Sequence, residues 1–415
     1  MWDQRAILHV DVNSFYAAVE CLLHPEIRHL PVAVCGDIQQ RHGIVLAKNE
    51  LAKKYGLKTG EAIWEAKQKC HNLVIMPANY ELYIQFSKAA RKIYERYTDL
   101  TEAFGLDENW LDITGSVGVF GSPLKIAQEI SEVVKAELGI TVSIGLSWNK
   151  IYAKLGSDYK KPDAITVFNR ENYKEKIWPL PASDLLYVGR STTKKLGNYG
   201  IRTIGQLAES DPDFLRRTLG KWGEYLWAFA SGHDISPVSP MGYESPIKSV
   251  GNSMTTYRDV ESYEEAWQVI ISLSESVARR LRENGFRCKT VQLSVRFADL
   301  SWVERQVKLN TPSCIVRELA TAAMQLFKEN VAFSKLIRAI GVRACDLVDM
   351  DNGYQINFFG DAKRQEKWEQ IESCVDVLRK RFGTKAVTRA VLMNADIIGE
   401  SDPLTHDVHP VAFFR

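Results

Sequence analysis

The chain has 415 residues, 45% of them hydrophobic and 25% charged, with a formal net charge of +2. That length exceeds what one hydrophobic core organises, so two to four domains are expected, and the near-neutral balance makes no whole-chain demand for a polyanionic partner. Seven scattered cysteines without a C-x-x-C pair exclude a zinc or disulfide framework and suit a reducing cytoplasm, while no signal-peptide core and no run near the roughly 20 apolar residues of a membrane span is present.

The first block, to about residue 170, alternates short apolar runs with amphipathic stretches. Strands are expected at 6–10, 32–34, 44–47, 73–76, 103–106, 142–146 and 165–167, with helices at 81–95 and 123–138 among others. Helices interleaved with short strands give α/β or α+β topology. Asp11 falls where the first strand ends, and Asp107-Glu108 follows a second apolar run. Taken singly, Asp11 reads as the cap of a helix starting near Ser14, and Asp107-Glu108 as a turn. Taken together, two acidic strand ends meeting in one sheet make an oxygen cage for Mg²⁺. Two such ions clamp both oxygens of an in-line phosphoryl displacement.

A second, helical block spans 172–240. Around Tyr187-Val188-Gly189-Arg190 and Tyr199-Gly200-Ile201 it reads as helix, glycine turn, helix, second turn. This resembles a helix-hairpin-helix, whose backbone N–H groups hold a DNA phosphate without reading sequence. Tyr187 stands where the usual hairpin has its first glycine, and an ordinary turn with Gly189 as a helix C-cap is the alternative. Residues 232–246, with three prolines, read as an inter-domain tether.

The third block, 247–350, has a strand at 290–297 that puts Val291, Leu293, Val295 and Phe297 on one face and Gln292, Ser294 and Arg296 on the other. A second strand is expected at 304–309, with helices at 264–284 and 313–329. Residues 245–345 carry 15 Lys/Arg against 10 Asp/Glu, including Arg279, Arg280, Arg282, Arg287 and Lys289. A half-buried sheet with a basic outer face suits a nucleic-acid backbone, a solvated face being the plainer alternative. In the tail, 351–415, a helix is expected near 366–382 and a strand at 390–393.

Several of these motifs, in this order, resemble the Y-family DNA polymerases of the DinB/UmuC group. Asp11-Val12-Asn13-Ser14-Phe15-Tyr16 is similar to the first metal motif, and Leu106-Asp107-Glu108 with Leu111-Asp112 to the second. Ser143-Ile144-Gly145-Leu146-Ser147-Trp148-Asn149-Lys150, then Ala153-Lys154 and Ser157-Asp158 with Lys161-Pro162, is similar to a third. Lys248-Ser249-Val250-Gly251-Asn252-Ser253 is similar to the strand that opens the little-finger domain. The resemblance implies an α+β multidomain right hand: a ferredoxin-like palm (1–16 and 80–170), small fingers (17–79), a helix-hairpin-helix thumb (171–240), a linker (241–247), an α/β little finger (248–350) and a C-terminal tail (351–415).

It further implies a monomeric DNA polymerase of lesion bypass and the damage (SOS) response, acting on primer-template DNA and dNTPs with two Mg²⁺ ions. Asp11, Asp107 and Glu108 would be catalytic and, with the carbonyl of Val12, would hold the metal. Tyr16 would be the steric gate against a 2′-hydroxyl, and Phe15, Tyr16, Lys53 and Lys161 would bind the nucleotide. Gly189, Arg190, Lys248 and Arg296 would contact DNA. Gln355, Phe358 and Phe359 match the motif by which bacterial polymerases hold the sliding clamp. The chain departs from the family in the fingers, where Glu50 and Lys53 replace the usual Tyr and Arg; Lys53 neutralises phosphate but lacks a bidentate fork. Two rivals remain: a nucleotide cyclase sharing the two-metal palm, and a catalytically weak, polymerase-like DNA-binding accessory of the damage response.

Overall fold

A computed structural model describes residues 5–36, 43–351, 362–393 and 395–398. Two compact units divide the chain near residue 244. In the first, β1 (Ile7–Val12) leads into α1 (Phe15–Leu23). Next come β2 (Val32–Cys35), β3 (Val45–Lys48), α2 (Glu50–Lys53), α3 (Ile63–Lys69) and β4 (Val74–Pro77). These three strands form a small sheet in the order β3-β2-β4. The chain then continues through α4 (Tyr80–Tyr94), β5 (Thr101–Ala103), β6 (Glu108–Asp112), α5 (Val117–Phe120), α6 (Pro123–Leu138), β7 (Val142–Ser147), α7 (Lys150–Tyr159) and β8 (Ile165–Val167).

The larger sheet has the order β5-β6-β1-β7-β8, with β1 antiparallel to both neighbours. Every residue of β1 is buried, because helices cover both faces of this central strand. Leu8, Val10 and Val12 join a core with Ile126, Ile130 and Tyr94 of the helices on one side. Ile7, His9 and Asp11 point to the other face, where α7 lies. Gly145 permits that close approach: a Cβ there would stand 1.9 Å from the Ala153 carbonyl oxygen and 2.5 Å from the Ser157 nitrogen, both in α7. Gly145→Ala is therefore expected to cost about 3 kcal/mol, because the obstacle is backbone that cannot repack. Urea unfolding measures it, and an unchanged midpoint would contradict the packing.

The helical part of this unit comprises α8 (Tyr173–Ile177), α9 (Arg190–Asn198), α10 (Ile204–Ala208), α11 (Pro212–Leu219) and α12 (Lys221–Ala230). Here the sequence reading needs correction. Where the first helix of the hairpin is expected there is a single 3₁₀ turn (Ala182–Asp184), whereas Gly189 is the N-cap of α9, which sets aside the alternative of a helix C-cap. Tyr187 nevertheless adopts φ +70°, the left-handed conformation the missing glycine would have taken freely. Part of the expected tether is fastened down. The Trp148 indole donates to the Gly232 carbonyl (3.0 Å), and the Ser239 and Met241 amides donate to Glu102 (2.9 Å) and to the Asp99 carbonyl (2.7 Å).

The second unit contains β9 (Ser249–Val260), α13 (Tyr263–Glu283), β10 (Phe286–Phe297), β11 (Trp302–Ser313), α14 (Val316–Asn330), β12 (Ile337–Asp349) and α15 (Ala362–Phe382). Its antiparallel sheet, ordered β11-β10-β12-β9, buries one face beneath α13 and α14. The alternation along β10 holds as expected, with Val291, Leu293, Val295 and Phe297 in the core. The edge strand β11 is largely exposed and carries Glu304, Arg305 and Lys308, charges that discourage further strand pairing.

α15 buries charged residues and leaves apolar ones in solvent. Glu372 accepts from the Val316 amide at 3.1 Å, capping α14, whose own N-cap Ile315 offers no side-chain bond. Arg282 binds Glu372 and Asp376 (both 2.7 Å), Arg287 binds Glu369 (2.7 Å), and Glu275 receives Arg379 and Arg389. Trp368, Ile371, Leu378 and Phe382 stay more than a third exposed. Arg282 and Arg287 thus serve this network, which removes them from the basic surface expected to meet nucleic acid.

Three smaller expectations also change. The strand placed at 103–106 is β5 at 101–103, because 104–107 is a bend. The helix placed at 313–329 starts at Val316, and 390–392 is a 3₁₀ turn, not a strand. Among the described residues, no helix is long and apolar enough to cross a membrane.

Candidate active site

Asp11 lies within β1, not at its end, because pairing to β6 and β7 extends the strand to Val12. Its register partner on β6 is Glu108, and directly opposed residues share a face. Asp107 precedes Glu108 in a bend braced from α4. The Ser87 hydroxyl donates to the Leu106 carbonyl, and Arg91 donates to the Gly105 carbonyl at 3.0 Å. Gly105 supplies the positive φ (+89°) that the bend requires. The Asp107 carbonyl in turn accepts from the Val12 amide at 3.0 Å, locking the two acidic segments together.

Two lysines enter this cluster from the α7 side. Lys154 lies 3.3 Å from Asp11, 3.1 Å from Glu108 and 2.9 Å from Asp158. Lys161 lies 2.8 Å from both Asp11 and Asp158. The expectation for Lys161 was phosphate binding; the structure places it on Asp11.

The carboxylates strain against one another. Burial raises Asp107 most, and the charges of Asp11 and Glu108 add to it, so its pKa reaches about 7. Burial also raises Asp11, against the opposing pull of Lys161. Glu108 ends below its ordinary value, because His9 and Lys154 outweigh its burial. The clustered carboxylate oxygens of Asp11, Asp107 and Glu108 suit a hard divalent cation. One ligand atom from each of Asp11, Glu108 and His9 lies within 4.8 Å of the others.

The Tyr16 ring forms a neighbouring wall. It stacks on Tyr83 (centroids 4.2 Å apart, planes at 10°) and meets Tyr80 edge-on. The Tyr83 hydroxyl donates to buried Glu20 at 2.6 Å, so the wall is held from behind. Burial and the nearby Asp107 charge push the Tyr16 phenol far up. The Phe15 side chain is buried in the core, which leaves only its backbone available to a ligand.

In α2, Lys53 pairs with Glu50 at 2.5 Å, and the Ser14 hydroxyl donates to the same carboxylate at 3.0 Å. Burial would raise Glu50, but these partners hold it below its usual value. The acid that stands unusually in this position is therefore tied back by its own neighbour.

The remaining expected residues lie elsewhere. Gly189 and Arg190 are exposed at the start of α9. Lys248 is exposed just before β9 in the second unit. Arg296 sits on the half-exposed face of β10, over Trp302 at 5.2 Å. Gln355, Phe358 and Phe359 lie outside the described residues. Lys154 and Asp158 belong to the third motif of the resemblance, which gives them no individual role, and His9 has none either. The i, i+4 spacing of Lys154 and Asp158 was a visible pairing signal.

Comparisons with known proteins show the family of this chain. Residues 10–158 match the impB/mucB/samB family, and residues 247–358 match that family's C-terminal domain. The chain belongs to this family, the Y-family polymerases. It is 53% identical over 390 residues to DNA polymerase IV of Acetivibrio thermocellus, covering 94% of this chain and 98% of that one. It is 36% identical over 404 residues to DNA polymerase IV 2 of Bacillus subtilis, covering 95% and 96%. A solved Y-family DNA polymerase chimera shares the fold, with a TM-score of 0.72 at 22% identity over 83% of this chain and 99% of its own.

Proposed function

We propose that this protein is a template-directed DNA polymerase that adds dNTPs to a primer 3′-hydroxyl and serves in lesion bypass. The observation that carries the reading is the convergence of Asp11, Asp107 and Glu108 where β1 meets β6, in a chain whose relatives are DNA polymerases IV. A catalytically weak accessory would have no need to keep three mutually repelling carboxylates together. In this reading the five-stranded sheet and its helices are the palm (1–16 and 80–170), with fingers at 17–79 and a thumb at 171–240. A linker at 241–247 leads to the little finger at 248–350, and 351–415 is the tail.

Asp11, Asp107 and Glu108, with the Val12 carbonyl, would hold two Mg²⁺ ions. The ions, when bound, neutralise phosphate charge and favour the ionised primer oxygen. The protein's own groups do the rest. Lys161 and Lys53 offer positive charge to the triphosphate, and Lys154 balances Glu108 and Asp11. Tyr16 walls the space beneath the sugar. Gly189, Arg190, Lys248 and Arg296 meet the DNA backbone, and Gln355, Phe358 and Phe359 engage a sliding clamp. All seven cysteines are free, which suits a reducing cytoplasm.

Primer extension on undamaged and lesion-bearing templates tests the function. Templated incorporation that depends on Mg²⁺ is expected, and none with the purified chain would overturn the reading. Asp107 also predicts a pH signature. Its folded pKa of about 7 lies above the ordinary 3.8, so the folded chain keeps a proton that the unfolded chain loses. Stability from this group therefore falls as pH rises from about 4 to 7. A divalent cation offsets the exposed repulsion, so MgCl₂ is expected to raise the melting temperature more at about pH 8 than at about pH 5.5. Equal shifts at both would contradict the assignment.

A further inference from the structure

We propose that α15 is a docking helix, whose exposed seam of Trp368, Ile371, Val375, Leu378 and Phe382 receives an acidic amphipathic helix from a partner protein. The surface lies outside the candidate active site, and the inference does not depend on the polymerase reading.

A helix held to a domain ordinarily turns its apolar stripe inward and its charges outward. α15 does the reverse. Its inward face carries Glu369, Glu372, Asp376 and Arg379, which pair with Arg287, Arg282 and Glu275 of the domain. Its apolar residues are therefore not what fastens it. They follow one another at steps of three, four, three and four residues, the heptad spacing that lines one side of a two-helix coil. Trp368 is 37% exposed, Ile371 41%, Leu378 37% and Phe382 63%, with Val375 half-buried among them. The seam is about 21 Å long at 1.5 Å per residue, room for four turns of a partner helix. A contiguous apolar stripe rimmed by charge marks an interaction site.

Charge decides the occupant. With Trp368, Val375 and Phe382 at heptad position a, and Ile371 and Leu378 at d, position e holds Glu372 and Arg379, both buried against the domain. Only the g side is open to a second helix. That side carries Lys367, Cys374 and Arg381, all exposed, and Arg381 lies over the Phe382 ring at 5.0 Å. The g positions thus supply two cations and no acid, which favours glutamate or aspartate on the partner's flank. A second copy of the chain would set Lys367 and Arg381 against the same cations. A lipid surface takes a broad apolar face, and this stripe is one seam wide.

Fluorescence anisotropy on the full chain tests this with three labelled four-turn peptides. The first has leucine at its a and d positions and glutamate on its flanks, the second has lysine flanks, and the third keeps the glutamates but replaces leucine by serine. The first is expected to bind with a Kd of about 10–100 μM. The second is expected to bind about 10-fold more weakly at low salt, a gap that narrows as NaCl is raised, and the third not to bind. Ile371→Ser with Leu378→Ser is expected to abolish binding, and Lys367→Glu with Arg381→Glu to reverse the preference between the flanks. All four positions are exposed, so thermal melts and primer extension of both variants are expected to match the unaltered chain. If the serine variant melts early, the charge reversal decides: an unreversed preference refutes the proposal. A Kd weaker than about 1 mM for the glutamate peptide, equal binding of both flanks at low salt, or binding that survives in the folded serine variant would each overturn it. Dimerisation in sedimentation that the serine variant abolishes would give the seam to a second copy instead. Binding that appears only when the chain ends at Ile398 would give it to residues 399–415, and binding to anionic vesicles that the serine variant loses would give it to lipid. Each of these three also overturns the proposal.

Discussion

Asp107→Ala is expected to lower primer extension by about three orders of magnitude or more, equivalent to roughly 4 kcal/mol of barrier. The same substitution is expected to stabilise the cation-free protein at about pH 8. Asp107 is held near two other carboxylates, and burial together with their charges raises its pKa to about 7. Removing it relieves repulsion that the fold otherwise tolerates for function, a familiar opposition of activity and stability. The paired readout separates a catalytic role from a structural one. A variant that is both inactive and less stable would point to damage of the braced bend at 104–107. A variant with normal extension would remove Asp107 from the chemistry.

Tyr16→Ala is expected to raise ribonucleotide incorporation relative to deoxyribonucleotide by roughly 100-fold, about 3 kcal/mol of lost exclusion. The argument rests on rigidity as much as on position. A lone tyrosine could swing aside for a bulkier sugar. Tyr16 is stacked flat on Tyr83, which is tied to buried Glu20, with Tyr80 against its edge. Tyr16→Phe keeps the ring and its stacking, so its sugar selectivity is expected to match the unaltered chain. Single-nucleotide insertion with matched dNTP and NTP measures both. Unchanged selectivity in Tyr16→Ala would refute the gate.

The acidic residues were legible because their local pattern, a carboxylate within or just after an apolar run, survives in one dimension. Their placement was less so. Asp11 was expected at a strand end, yet the strand continues to Val12 because β6 and β7 pair with it, and both partners come from about 100 residues or more downstream. His9 shares a face with Asp11 by simple alternation, but its hydrogen-bond partner is Ser157, 148 residues away. The pairing of Glu50 with Lys53 follows from i, i+3 spacing and was within reach of the sequence. The basic surface of the second unit was over-read, because composition counts Arg282 and Arg287 without showing that α15 neutralises them. The turn of the expected hairpin falls at Tyr187–Gly189, and α9 follows it. Tyr187 bends as the missing glycine would, but the preceding segment is only a 3₁₀ turn.

The charged seam beneath α15 bears on where this protein can be shortened. A tail held by apolar contacts could be cut away, leaving a greasy but electrically neutral scar. Cutting before α15 would instead strand Glu275, Arg282 and Arg287 without the opposite charges they now face. It would also uncap the first turn of α14. Orphaned buried charge costs far more than a lost surface contact. The domain that begins at β9 is therefore complete only with α15, and a minimal fragment of it has its natural end beyond Phe382, not at the close of β12.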